Sequence, residues 1–385
     1  MVAVHPMDHH HAAVQTQALL MTAPTPAPPW PLLQHALEAT PTPAVPLPPT
    51  LGRLVDRYHT WLPPTWRPNR RIRFPNGIYI LVYHSIVDPE DRSLWEQCYR
   101  KGETTKDKFK KQLEFILQSM TPIALSALPA LWARGRPDRP YCAITFDDGF
   151  VNNLTHAHPI ISELGLRPTI FVNSEFAKKK QNFFRVLAAV LIHHGHARHL
   201  AANLRRQAPQ HPWPEDDPGL FNELKKHYIV NVVEEVTEAT YREFLGDPAD
   251  LNIHLDRDGV AELMRHGWEI GNHTRAHRLL SQQNQEEITH AIEGNADDWR
   301  QEAIPLIDFI AYPVGRAQDA GPELWHWMQQ RPQWHGMFAN GGVNFSLQRT
   351  EWLRFSLGDR TEPQELEPMI HQQIRRTLAA LQHCR

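Results

Sequence analysis

Short apolar runs, rich in β-branched and aromatic residues, recur along this chain, and most stop at a polar or ionisable residue. Ile78-Tyr79-Ile80-Leu81-Val82-Tyr83 ends at His84-Ser85, and Ala143-Ile144-Thr145-Phe146 ends at Asp147-Asp148-Gly149. Thr169-Ile170-Phe171-Val172 follows, then Trp268 to His273 and Phe309-Ile310-Ala311-Tyr312-Pro313, with weaker runs at Met337-Phe338-Ala339 and Leu353-Arg354-Phe355. Runs that are apolar throughout rather than alternating predict strands buried on both faces. Helical patterns lie between them. Phe109, Leu113, Ile116 and Leu117 recur at helical spacing, giving one apolar face. Ile160, Ile161 and Leu164 precede Gly165, which sits where a C-cap belongs. Leu366, Ile370, Ile374, Leu378 and Leu381 stripe a C-terminal helix. Strands alternating with helices predict an α/β fold, a parallel sheet covered by helices and either open or closed into a barrel. In both arrangements the functional edge is the C-terminal end of the strands. His84, Asp147, Asp148, His273 and the residues after Tyr312 fall there.

Composition narrows the function classes. No apolar run approaches the ~20 residues of a membrane helix. Forty basic against 43 acidic residues leave a net charge of −3, so no overall field favours nucleic acid. Cys98, Cys142 and Cys384 are far apart and form neither a CxxC pair nor a disulfide framework. Eleven prolines fall in the first fifty residues, and residues 1–70 are expected to be a mostly disordered tail. Its Asp8-His9-His10-His11 cluster lacks surrounding support for a metal. The first Lys or Arg is Arg53, and Ala18 to Met21 is too short for the apolar part of a secretory signal. A cytoplasmic or membrane-peripheral location is therefore expected. Residues 71–385 are expected to form one domain. Within it, about 176–252 reads as a helical insertion: Phe184, Leu187, Ala188 and Leu191 mark one helix, and Val230, Val233 and Val236 another.

Two motifs carry chemistry. Adjacent carboxylates closing a buried strand are costly unless paired or metal-bound. Consecutive strand residues point to opposite faces, but Gly149 permits a turn that brings Asp147 and Asp148 into one pocket. A solvated turn or a helix N-cap explains a lone Asp-Asp-Gly equally well. The second motif is His273-Thr274-Arg275-Ala276-His277. Histidines at i and i+4 share one face of a helix and can converge on one ion. The Glu of the zinc-protease HExxH pattern is absent, since position 274 is Thr. Two His and one Asp give three ligands and an open position, the stoichiometry of a catalytic zinc.

Thr145-Phe146-Asp147-Asp148-Gly149 followed by His273-Thr274-Arg275-Ala276-His277 resembles the first two motifs of the polysaccharide deacetylases, the NodB-homology group or carbohydrate esterase family 4. Ile78 to Ser85 resembles the family's opening strand, and Ala311-Tyr312-Pro313-Val314-Gly315 its third motif. The order holds from about residue 77 to 360. The resemblance implies a distorted (β/α) barrel with a divalent metal, usually zinc, on Asp148, His273 and His277. It implies Asp147 as general base and the Tyr312 backbone N–H as a holder of the oxyanion. The substrate would be an acetylated glycan or glycolipid, most simply an N-acetylated amino sugar; O-acetyl esters suit the same chemistry.

Two departures stand out. Many members have Arg at the place of Ala311 to position the catalytic Asp. The late Leu-x-His general acid is missing, because Leu353 to Arg360 contains no histidine. His84 is the leading substitute, ahead of His335 and Asp359. Two alternatives stay open: a related barrel hydrolase acting on a non-sugar C–N bond, and a non-catalytic carbohydrate-binding protein. The His193 to His199 cluster, Arg205-Arg206 and Lys178-Lys179-Lys180 read as solvated surface. Trp61, Trp66, Trp268 and Trp334 read mainly as packing.

Overall fold

The computed structural model describes residues 74–99, 103–179, 182–226, 230–339, 341–345, 351–358 and 360–383. The tail expected over residues 1–70 and the candidate Asp359 lie outside the described residues.

The main sheet is parallel and its strands follow chain order: β1 (Gly77–Tyr83), β2 (Pro140–Phe146), β3 (Thr169–Val172), β4 (Glu269–Asn272), β5 (Phe309–Ala311), β6 (His335–Phe338) and β7 (Glu351–Leu353). A two-residue strand, Thr121–Pro122, adds to the lower part of β2. The sheet then bends back on itself. Val82 N–H donates to Phe355 O and Phe355 N–H to Ile80 O, each at 3.0 Å, so the end of β7 meets β1 and the barrel nearly closes.

Every residue of β1 is buried, as its unbroken apolar run requires. Alternate side chains serve two layers. Ile78, Ile80, Ala143, Phe171, Met337 and Trp352 fill the lumen. Tyr79, Leu81, Ile144 and Phe146 pack outward against helices, including α1 (Lys106–Leu117) and α2 (His158–Glu163). Gly165, after α2, takes φ +63°, and Leu166 N–H returns to Ile161 O, the C-terminal stop read from the sequence.

Between β3 and β4 the chain leaves the barrel to form α3 (Phe184–His193), α4 (Ala197–Gln207), α5 (Asp217–Lys226) and α6 (Val230–Leu245). These build a second apolar cluster with Trp95, Tyr99, Phe150 and Phe176. The segment returning to the barrel, 253–255, pairs antiparallel with 149–151, the residues just after the acidic turn. Val151 N–H donates to Ile253 O (2.9 Å) and Leu255 N–H to Gly149 O (2.8 Å). Next come α7 (Arg257–Arg265), α8 (Gln285–Gln301), α9 (Ala317–Gln329) and α10 (Pro363–His383). No helix among the described residues is long and apolar enough to cross a membrane.

Candidate active site

The acidic turn sits at the C-terminal end of β2. Asp147 stays in the ladder, its N–H donating to Tyr83 O at 3.0 Å. Asp148 and Gly149 then both turn left-handed, at φ +70° and +63°. That pair of positive angles breaks the strand alternation, and both carboxylates are buried. Aspartate tolerates this region better than most residues. Here the conformation is supported by His254, whose Nδ1 lies 2.9 Å from Asp148 O. Burial pushes the pKa of His254 down to about 4, so the ring is neutral at physiological pH.

The two carboxylates have different partners. Asp147 is gripped by both arms of Arg354, at 2.7 and 2.8 Å. Arg354 is fully buried and also donates to Thr145 Oγ1 and Phe338 O, at 3.2 Å each. Burial alone would raise the Asp147 pKa. The Arg354 charge, helped by His273 and His84, outweighs it and holds the carboxyl below its ordinary range. Such a two-pronged pair fixes orientation as well as charge.

Asp148 faces histidines. Its Oδ1 lies 3.2 Å from His273 Nε2 and 3.4 Å from His277 Nε2. Among the described residues these three form the one group able to hold a metal ion, with all ligating atoms within 4.8 Å of one another. The donor set fits a divalent cation. His273 Nδ1 lies 2.8 Å from Ala311 O; a carbonyl only accepts, so Nδ1 carries a proton and Nε2 is the atom turned to the site. Burial would lower the His273 pKa, but the Asp147 charge and the Asp148 carboxylate outweigh it and raise it, so positive charge is favoured between Nε2 and Asp148, which a cation can supply in place of a proton. Zinc ligands at about 2.1 Å in a tetrahedron sit roughly 3.4 Å apart, close to the two Asp148–histidine spacings. Burial lowers the His277 pKa to about 3, leaving that ring neutral, as ligation needs.

The sequence reading placed the two histidines on a helix, and this is corrected. Residues 273–279 form a loop in which Thr274 and His277 take φ +63° and +55°. A lattice of asparagines replaces the helical ladder. Asn173 Nδ2 donates to the carbonyls of His273 and Thr274. Thr274 N–H donates to Asn272 Oδ1 (2.9 Å), and Asn295 Nδ2 to the same oxygen (2.8 Å). Phe183 from the insertion sets its ring edge-to-face on His277, 5.3 Å away.

A family model described as polysaccharide deacetylase matches residues 134–324, a span holding both the acidic turn and the histidine loop. The chain belongs to the polysaccharide deacetylase family. It is an enzyme class of hydrolases, and this chain carries the class's paired motifs at one strand rim. Among solved structures, a Streptococcus pyogenes deacetylase, PplD, in complex with acetate is 15% identical at TM-score 0.50, covering 76% of this chain and 97% of that one. At that identity the likeness speaks for the fold, a parallel α/β sheet nearly closed into a barrel. IcaB from Ammonifex degensii is 14% identical at TM-score 0.47, with 78% and 99% covered. A comparison with curated proteins returns no match.

Three sequence expectations are answered at the rim. Ala311 brings no arginine to Asp147; Arg354, just past β7, pairs with it instead. Arg354 lies in the stretch where a histidine was expected; its signal is a lone basic residue in an apolar run, Trp352-Leu353-Arg354-Phe355.

The second expectation concerns Tyr312. The Tyr312 N–H donates to Met337 O at 3.1 Å, and its ring is buried in the helix layer with Ile310, Leu324 and Phe338. The expectation of a Tyr312 oxyanion donor is therefore corrected: the sheet ladder uses that N–H. Pro313 has none to offer. Val314, at φ +62°, is the next residue, and among the described residues its N–H makes no hydrogen bond. Its side chain packs on the insertion's aromatic cluster.

The third concerns the substitute acid. His84 does reach the rim: Tyr83 pairs with Phe146, so His84 stands beside Asp147, half-buried, and its charge acts on both carboxylates. His335 does not. It opens β6 at the opposite end of the barrel, 4.8 Å from the Phe309 ring.

Proposed function

We propose that this protein is a metal-dependent deacetylase that removes N-acetyl groups from amino sugars of a polysaccharide or glycolipid. The observation that carries the reading is the division of labour at the rim: Asp148, His273 and His277 converge on one point while Arg354 holds Asp147 apart. Asp148, His273 and His277 would hold the ion, most simply zinc. Bound there, a divalent ion supplies Lewis acidity toward an acetyl carbonyl and toward water.

The chain's own residues do the rest. Asp147, kept ionised and aimed by Arg354, takes a proton from the attacking water as its oxygen bonds to the acetyl carbon. The Val314 N–H, which makes no hydrogen bond among the described residues, takes the oxyanion role expected of Tyr312 and receives the charge that develops on the carbonyl oxygen. His84 gives a proton to the sugar nitrogen as the C–N bond breaks, and acetate and the free amine leave. An amine needs that proton to depart, which favours an amide over an ester as substrate.

Elemental analysis of the wild type beside His273→Ala tests the centre. About one zinc or similar ion per chain is expected, lost in the variant. Acetate release is then followed on N-acetylated glycans, O-acetylated glycans and small amides. A wild type that takes up no metal on titration, or that releases acetate from none of these, overturns the reading.

A further inference from the structure

The segment that ends the helical insertion touches the acidic turn at one side chain. His254 is buried, its ring lying between Phe150 (5.3 Å between centroids, 19° between planes) and Phe176 (4.5 Å, 25°). The two rings fix its plane and leave its edge free to aim one nitrogen. That nitrogen, Nδ1, lies 2.9 Å from the main-chain oxygen of Asp148. Because a carbonyl only accepts, Nδ1 is the donor. Among the described residues the other nitrogen, Nε2, is buried with no hydrogen-bond partner.

Packing alone does not account for a histidine here. A phenylalanine would fill the same slot between two aromatic rings without desolvating two nitrogens. What imidazole adds is the single bond to Asp148 O. That oxygen belongs to a residue at φ +70°, outside the regular ladder, where an unpaired buried carbonyl is costly. The same left-handed turn points the Asp148 carboxylate at His273 and His277.

We propose that His254 is a positioning residue for the metal centre: its Nδ1–H holds the Asp148 carbonyl and so fixes the turn that presents the Asp148 carboxylate beside the two histidines. The helical insertion then completes the centre as well as covering it, through one residue at its point of return. This rests on Asp148, His273 and His277 binding a metal.

The test compares zinc affinity of the full chain, stripped of metal and titrated against a chromophoric chelator. His254→Phe keeps the aromatic stack and loses the donor. His254→Asn loses the stack and keeps an N–H near the Nδ1 position. The expected result is roughly tenfold weaker zinc binding for His254→Phe, at the lower end of what indirect partners of a metal contribute, with the metal-free melting temperature near wild type. His254→Asn is expected to bind zinc more tightly than His254→Phe despite its smaller side chain.

Equal affinity in wild type and His254→Phe would overturn the proposal. So would equal weakening in both variants, since ring bulk would then matter rather than the donor. If His254→Phe does not fold, His254→Leu replaces it, being close to asparagine in size, and the same order is read. A wild type without zinc affinity is a separate outcome; it would remove the metal-centre reading, and this inference with it.

Discussion

The two rims of the barrel both bury carboxylates, and they treat them differently. At the N-terminal rim, Glu269 opens β4, almost wholly buried. Its Oε2 accepts from Ser126 N–H and Thr169 Oγ1, each at 3.1 Å, its Oε1 accepts from the Ser126 hydroxyl, and Arg167 lies 3.5 Å away. Every lone-pair direction that matters has a proton donor, so this acid ties strands and loops together. At the C-terminal rim, Asp148 Oδ1 is as deeply buried and has no donor of good geometry among the described residues; it faces two imidazole nitrogens instead. Burial alone does not separate a structural acid from a functional one. The partner does: a well-aligned proton donor makes the carboxylate a fastener, whereas imidazole nitrogens that can give up a proton leave room for a cation.

Asp147 lies between these cases, satisfied by Arg354 yet beside the open site, and the strongest way to break the comparison is there. Asp147→Asn keeps the shape and loses the base; kcat is expected to fall by about 10²–10⁴, with metal content unchanged by elemental analysis. Full turnover in that variant would return Asp147 to the structural class.

Arg354→Met leaves the Asp147 carboxylate buried without its counter-charge. A loss of about 3–5 kcal/mol in denaturant unfolding is expected. The acid side follows with a definite sign. The folded pKa of Asp147 is lowered, so its stabilisation is complete above an unfolded value of about 3.9 and fades as pH falls through the folded value. In Arg354→Met burial is left to push that pKa up instead, so the sign reverses: the variant's deficit is expected to shrink as pH falls and the buried carboxyl takes a proton. Arg354→Lys keeps the charge without the two-pronged grip. It should recover most of the stability while kcat stays reduced and KM changes little, a split that a purely structural role would not give.

His84→Gln is a smaller perturbation, expected to slow amide hydrolysis by roughly 10²-fold and ester hydrolysis less, read as acetate release from matched N- and O-acetylated glycans. Equal slowing on both would remove His84 as the proton donor to nitrogen. Smallest is Glu269→Gln at the opposite rim. It should lower stability by roughly 2 kcal/mol, the scale of hydrogen bonds to a charged group, with zinc binding and kcat unchanged. A loss of turnover without loss of stability would show that the rims are coupled.

Much of this was legible in local pattern. The buried strands announced themselves as unbroken apolar runs, and the parallel architecture followed from their alternation with helices. Because strand ends define the functional edge, Asp147, Asp148, His273 and His84 could be named before any contact was known. A turn at Asp-Asp-Gly was also readable, since Gly149 permits one, but the left-handed φ of Asp148 itself was not. The loop carrying the histidines was not: HxxxH fits a helix equally well, and Asn173, Asn272 and Asn295 reveal themselves as its scaffold only when three distant segments meet.

What the sequence determined by itself was the set of strands, their direction and the chemistry gathered at their ends, because each depends on residues within one short stretch. The tertiary structure decided the partnerships. Arg354 and Asp147 are 207 residues apart, and His254 and Asp148 are 106 apart. No local period records such a pairing. It exists because the barrel closes β7 onto β1 and brings the end of the insertion back beside β2, so a lone arginine in an apolar run and a histidine near the end of an inserted segment acquire their roles only when the chain has folded.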